Sequence, residues 1–137
     1  MLSKTFGCTR MIYNYYLDKR IELYEKEKIT LGYTKCANNL TVLKKEKDFL
    51  KEVDSISLQQ ALRHLDTAFQ NFFKNQKTGF PKFKSKKNNN NSYTTVCVNN
   101  NIKLENGIVA LPKIRKVKVR QHRNIPENYI LKSVTVS

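Results

Sequence analysis

DSISLQQALRHLDTAFQNFFKNQKTGFPKFKSKK, residues 54–87, holds the turning point of the chain. In its first part Leu58, Leu62, Leu65, Phe69 and Phe72 follow one another at intervals of 4, 3, 4 and 3, the stripe of one α-helical face. Asp54 or Ser55 stands where the N-cap of that helix belongs. Gly79 and Pro81 then close the helical region, because neither residue sustains a helix interior. Beyond them the apolar spacing shortens from the helical period toward alternation.

Toward the amino end, the pattern stays helical. Phe6, Tyr13, Leu17, Ile21 and Tyr24 recur at 7, 4, 4 and 3, which predicts a first helix with those five on its apolar side. Gly32 breaks the chain before a second helix starting at Tyr33 and Thr34, with Thr34 as N-cap and Leu40 and Leu43 on its apolar side. Phe49 and Leu50 pin the connection to the third helix. Three such stripes predict a small antiparallel bundle.

Toward the carboxyl end, strands are expected. Residues 93–98 are β-branched and aromatic, and Cys97 among them reads as a small core residue. Residues 102–104 and 108–111 flank Asn106-Gly107, the strongest short hairpin signal. Val117 and Val119 alternate with Lys118 and Arg120, and residues 134–136 read as a last strand. The expected class is α+β: a small antiparallel helical bundle followed by an antiparallel β-sheet or incomplete β-barrel. The expected division is a helical domain over 1–78, a basic linker over 79–91 and a β domain over 92–137. The asparagine run 88–91 reads as a solvated loop.

The 137 residues carry 26 Lys and Arg against 11 Asp and Glu, a formal charge of +15. Residues 80–137 hold twelve of the basic and only two of the acidic residues. An A+T-rich coding sequence explains fifteen asparagines, but it would enrich Glu as readily as Lys and so does not explain that imbalance. A polyanion that relieves the repulsion does. Three cysteines with no C-x-x-C pair speak against a disulfide scaffold or a zinc site and fit a reducing, cytoplasmic setting. No apolar run approaches the ~20 residues of a membrane helix, and the first twenty residues lack a signal-peptide core. No basic amphipathic helix with a bulky apolar face points to a membrane surface, so nucleic acid is the expected partner.

Three groups of residues suit that partner. GFPKFKSKK, residues 79–87, interleaves Phe80 and Phe83 with Lys82, Lys84, Lys86 and Lys87. Ammonium groups meet phosphates, while rings stack on bases or tuck into the bundle. PKIRKVKVRQHR, residues 112–123, has no acidic residue between Lys113 and Arg123, and Lys116, Lys118 and Arg120 share one strand parity, opposite Val117 and Val119. Arg10 and Asn14, four apart on the first helix, share a face that either nucleic acid or an internal carbonyl would suit. Gln59 and Gln60 have the amide that reads adenine bidentately, although such residues also serve as plain helix surface. His64 and His122 are isolated. Asp18, Asp48, Asp54, Asp66, Glu105 and Glu127 form no visible metal-binding set, and no phosphate-binding loop, dinucleotide fingerprint or nucleophile elbow occurs. No catalytic residue is expected in this chain.

Read together, FGCTRMIYNYYLDKRI (6–21), FLKEVDSISLQQALRHLDTAFQNFF (49–73), GFPKFKSKK (79–87), SYTT (92–95), LPK (111–113) and KSVTVS (132–137) resemble, in order, the TnpB (OrfB) proteins of bacterial insertion sequences. The resemblance implies a helix-turn-helix-like recognition lobe followed by most of a β-barrel wedge domain. It implies RNA-guided cutting of double-stranded DNA beside a short adjacent motif, with guide pairing supplying most of the sequence choice. It further implies that Tyr33 and Gln59 lie by that motif and that the basic barrel segment grips guide RNA and DNA. Ala37 and Ile56 add little hydrogen-bonding capacity there.

The chain departs from that family at both ends. Members begin with a β-strand, whereas Met1 stands almost at the first helix. Members continue past the KSVTVS region into a nuclease domain with an acidic metal-binding triad and a zinc ribbon, so divalent metal and zinc are expected there and no cofactor here. The expectation is an amino-terminal piece that binds nucleic acid without cutting it. Two alternatives stand beside it: one half of a nuclease completed in trans by a separately encoded half, and a free-standing regulator of transposition.

Overall fold

The structure, a computed structural model, describes residues 2–88, 91–121, 123 and 125–137. Met1, the middle of the asparagine run and His122 therefore lie outside the described residues. Three helices come first: α1 (Leu2–Glu27), α2 (Tyr33–Glu46) and α3 (Ser55–Lys74). Five short strands follow: β1 (Tyr93–Val96), β2 (Lys103–Glu105), β3 (Ile108–Leu111), β4 (Arg115–Lys118) and β5 (Ser133–Val136). The α+β class is what the sequence led one to expect.

The third helix buries Leu58, Leu62, Leu65 and Phe69 from its predicted stripe. Full burial of such a side chain contributes about 1.5–3 kcal/mol, so α3 is the spine of the bundle. Asp54 is its N-cap, accepting from the backbone N–H of Ile56 at 3.0 Å. The first helix differs from expectation. Tyr13 and Leu17 are buried, but Thr5, Cys8, Thr9, Ile12, Tyr16 and Arg20 complete the inner face, while Tyr24 is 56% exposed. Small and polar residues form much of this contact because polar atoms find partners inside. The Tyr16 hydroxyl donates to Asn39 Oδ1 at 2.8 Å, and Arg20 Nη1 meets Asp66 Oδ1 at 3.2 Å with its guanidinium 4.1 Å from the Phe69 ring centroid. The second helix buries Cys36, Leu40 and Leu43. Its N-cap is Gly32 with no side-chain cap, and Thr34 lies inside the first turn. Leu50, in a 3-10 turn over Asp48–Glu52, is fully buried, whereas Phe49 faces solvent.

The strands make two antiparallel sheets rather than one: β1 with β5, and β2-β3-β4 in that order. Asn106 and Gly107 have φ of +50° and +74°, so the β2–β3 hairpin turns through two left-handed residues, as Asn-Gly favours. The two sheets share an apolar cluster built on Ile102, Val109 and Leu111, against which Val117, Val134 and Val136 pack. Cys97 lies one residue beyond β1 and is only partly buried against this cluster.

The sheets join the bundle through β1. Tyr93 packs edge-on against Phe6 with centroids 5.6 Å apart. The buried Thr95 hydroxyl donates to Asp54 Oδ2, so one carboxylate caps α3 with one oxygen and ties down β1 with the other.

Candidate nucleic-acid interface

Between the two halves, the described residues 79–88 and 91 lie in no strand, and 3-10 turns occur at Gln76–Thr78 and Lys86–Asn88. The path of residues 79–84 is nevertheless fixed. Gly79 has φ +88° and ψ 154°, a conformation close to glycine-only. The Phe80 ring lies edge-on to Phe69 and Phe72 at 5.4 and 5.3 Å, and Pro81 is buried. Asn14 then holds the chain as a neighbouring strand would: its Nδ2 donates to the Lys84 carbonyl at 2.8 Å, and its Oδ1 accepts from the Lys84 N–H at 2.7 Å. The Lys84 ammonium sits 4.3 Å from the centroid of the Tyr13 ring, a cation–π contact. Partial desolvation there pulls its pKa below the ordinary lysine value, although solvent still reaches the side chain.

This docking shapes a cavity of about 270 Å³ between α1, α3 and residues 82–85 and 91–94. Arg10 comes from α1, one turn before Asn14, with Nη1 3.3 Å from Asn91 Oδ1. Lys82, Phe83 and Lys84 form one wall. From α3, Ser57, Ala61 and His64 fall at i, i+4 and i+7 on one face. Tyr93 closes the far side, its pKa pushed up to about 12, first by burial and then by the nearby Asp54 charge. The His64 imidazole is accessible to solvent, yet partial desolvation, followed by the Lys84 charge, lowers its pKa below the ordinary value. Among the described residues lining this cavity there is no carboxylate. A concave surface with three cations and no anion attracts phosphate.

The structure thus brings Arg10, Asn14, Lys82 and Lys84 together. Lys86 and Lys87 follow in an exposed 3-10 turn. Tyr33 and Gln59 stand apart, at the starts of α2 and α3, and Arg63 joins them: one turn after Gln59, its guanidinium lies 4.3 Å from the Tyr33 ring centroid. In the carboxyl-side segment, Lys113 has φ +67° in the turn before β4. Lys116 and Lys118 are exposed while Val117 packs inward, the predicted alternation. That alternation ends sooner than expected, because β4 stops at Lys118. Val119 is 38% exposed and donates its N–H to the Gly107 carbonyl at 2.8 Å. Arg120 and Arg123 are exposed in the loop that follows.

Sequence reasoning missed Arg63, His64, Asn91 and Tyr93. The i, i+4 spacing of Gln59 and Arg63 was the available signal for the first, and the 57, 61, 64 spacing was the signal for His64. It also treated Phe80 and Phe83 alike. Phe80 is 45% exposed but packs edge-on against Phe69 and Phe72, whereas Phe83, 55% exposed on the cavity wall, makes no such ring contact among the described residues.

Comparison with known proteins places this architecture. Residues 1–28, a span that contains α1, match the helix-turn-helix domain of the OrfB proteins of the IS605 group. The chain is 39% identical over 141 residues to a "Putative RNA-guided DNA endonuclease" of Streptomyces pristinaespiralis, covering 99% of this chain and 34% of that protein. It is 33% identical over 135 residues to the "Putative RNA-guided DNA endonuclease InsQ" of Escherichia coli (strain K12), covering 96% of this chain and 32% of that one. It is also 38% identical over 95 residues to the "Virulence protein VsdF" of Salmonella dublin, covering 62% of this chain and 80% of the relative. The chain spans about a third of the length of the first two relatives. By these matches it belongs to the OrfB (TnpB) family of insertion-sequence proteins.

Proposed function

We propose that this chain binds nucleic acid, guide RNA and target DNA, as the recognition part of an RNA-guided DNA endonuclease. The observation that carries the reading is the convergence of Arg10, Lys82 and Lys84 on one cavity lined by no described carboxylate. The four lysines of residues 82–87 and the cations of 113–123 extend the phosphate-binding surface, and Tyr33 with Gln59 and Arg63 contributes a polar face where base edges are read. The family membership and the names of the two longer relatives support the choice of RNA and DNA over other polyanions.

Cleavage is assigned to residues outside this chain. Among the described residues no group of three or more His, Cys, Asp or Glu side chains could hold a metal ion. The part that cuts would lie elsewhere in a longer protein or in a separately encoded nuclease half. No described helix is long and apolar enough to cross a membrane.

The test is the affinity of the purified chain for a fluorescein-labelled RNA hairpin and for a DNA duplex between 50 and 300 mM salt. With Z phosphates neutralised, the slope of log K against log salt is about −0.9Z for duplex DNA and about −0.7Z for single strands. A slope of several units is expected. An affinity that is flat with salt overturns the reading.

A further inference from the structure

We propose that the cavity between α1, α3 and residues 82–85 and 91–94 receives a single unstacked nucleotide of the bound strand, with its phosphate on Arg10 and Lys82 and its base against Phe83. This rests on the nucleic-acid reading above and deepens it.

Size sets the ligand class. At about 270 Å³ the cavity lies near the lower end of the ~300–1,000 Å³ of drug-sized ligand sites, a size that suits one nucleotide better than a stacked pair. Chemistry narrows it further. The charged side chains on its described lining are cationic, which suits phosphate, and Arg10 is oriented by its contact with Asn91. Phe83 exposes 55% of its surface on this wall and, among the described residues, makes no ring contact like those of Phe80 with Phe69 and Phe72. An exposed ring beside cations is the arrangement on which a base stacks. The Tyr93 side chain borders the cavity, while its hydroxyl is buried with no hydrogen-bond partner among the described residues. His64 and Asn91 supply further polar edges for a base. A phosphate-only site would need neither the ring nor these uncharged polar groups.

Binding of the full chain to two 12-mers tests the idea: a thymidine oligonucleotide and an abasic deoxyribose-phosphate oligomer of equal charge. The wild type is expected to bind the thymidine 12-mer about five- to a hundredfold more tightly, the range for one base stacked on an aromatic ring. Phe83→Ala, a substitution at an exposed position, should bind both oligomers equally, at the wild-type abasic affinity and with an unchanged salt slope. An unaltered urea-unfolding midpoint establishes that the variant is folded. Lys86→Ala with Lys87→Ala should weaken both oligomers alike and preserve the discrimination. Equal binding of the two oligomers by the wild type, or discrimination that survives Phe83→Ala, overturns this inference and leaves the broader nucleic-acid reading standing. Failure of both oligomers to bind at low salt overturns both readings.

Discussion

Replacing Asn14 by alanine removes both hydrogen bonds that dock the Lys84 backbone on α1, at 2.8 and 2.7 Å, without disturbing a buried residue. Each bond is worth about 0.5–1.5 kcal/mol net, and exposure favours the lower half of that range, so the segment loses about 1–2 kcal/mol of docking free energy. That multiplies its undocked population by about five to thirty. The bundle core does not depend on these bonds, since Leu58, Leu62 and Leu65 are at most 1% exposed beneath α1 and α2. The opening is therefore local rather than global. Native-state hydrogen exchange resolves the two cases. The Lys84 amide should exchange about five- to thirtyfold faster in Asn14→Ala, with α3 amides unchanged. Nucleic-acid affinity should fall by no more than the same factor, because only the docked fraction binds. Unchanged Lys84 exchange, or equal acceleration throughout α3, would refute the docking argument.

Other perturbations test the frame around the cavity. Asp54→Ala should destabilise the chain by about 2–4 kcal/mol in urea unfolding, about 1 for the lost cap and about 1–3 for the buried Thr95 hydroxyl left without its acceptor. Combined with Thr95→Val it should show a coupling near 1 kcal/mol or more, and simple additivity would contradict the shared carboxylate. Gly79→Ala should cost about 1–3 kcal/mol from backbone strain alone, because no atom lies within 4 Å of an added Cβ; an unaltered midpoint would show that the backbone there is unstrained. The lowered pKa of His64 means that the unfolded state takes up the proton first as pH falls. Its contribution is complete well above the ordinary value of 6.5 and is lost progressively as pH drops through that value toward the folded pKa. His64→Gln should therefore flatten the fall in stability between pH 7.5 and 5, and identical pH profiles would contradict the assignment.

What was legible in the sequence was local. Asn106-Gly107 announced its turn because two consecutive left-handed residues have few other solutions, and the leucine stripe of α3 announced its buried face because every member is large and apolar. The inner face of α1 was less visible. Thr5, Cys8 and Thr9 carry little apolar signal, and Arg20 is buried only because Asp66 and Phe69 wait for it 46 and 49 residues later. The division of labour between Phe80 and Phe83 was hidden for a similar reason: which ring packs depends on where α3 ends. The cavity itself rests on Asn14 meeting Lys84 across 70 residues, and no periodicity within either segment encodes that meeting. Sequence placed Arg10, Asn14 and the lysines among the candidates by chemistry, and tertiary structure assembled them into a site.

The most direct test of the central claim is ultraviolet crosslinking of the chain to a thymidine-rich single strand, with adducts mapped by mass spectrometry. Adducts should concentrate in residues 79–91, with Phe83 foremost, and at Arg10. Adducts confined to Lys44, Lys45, Lys47 and Lys51 at the end of α2 and in the turn after it, with none in residues 79–91, would contradict the account.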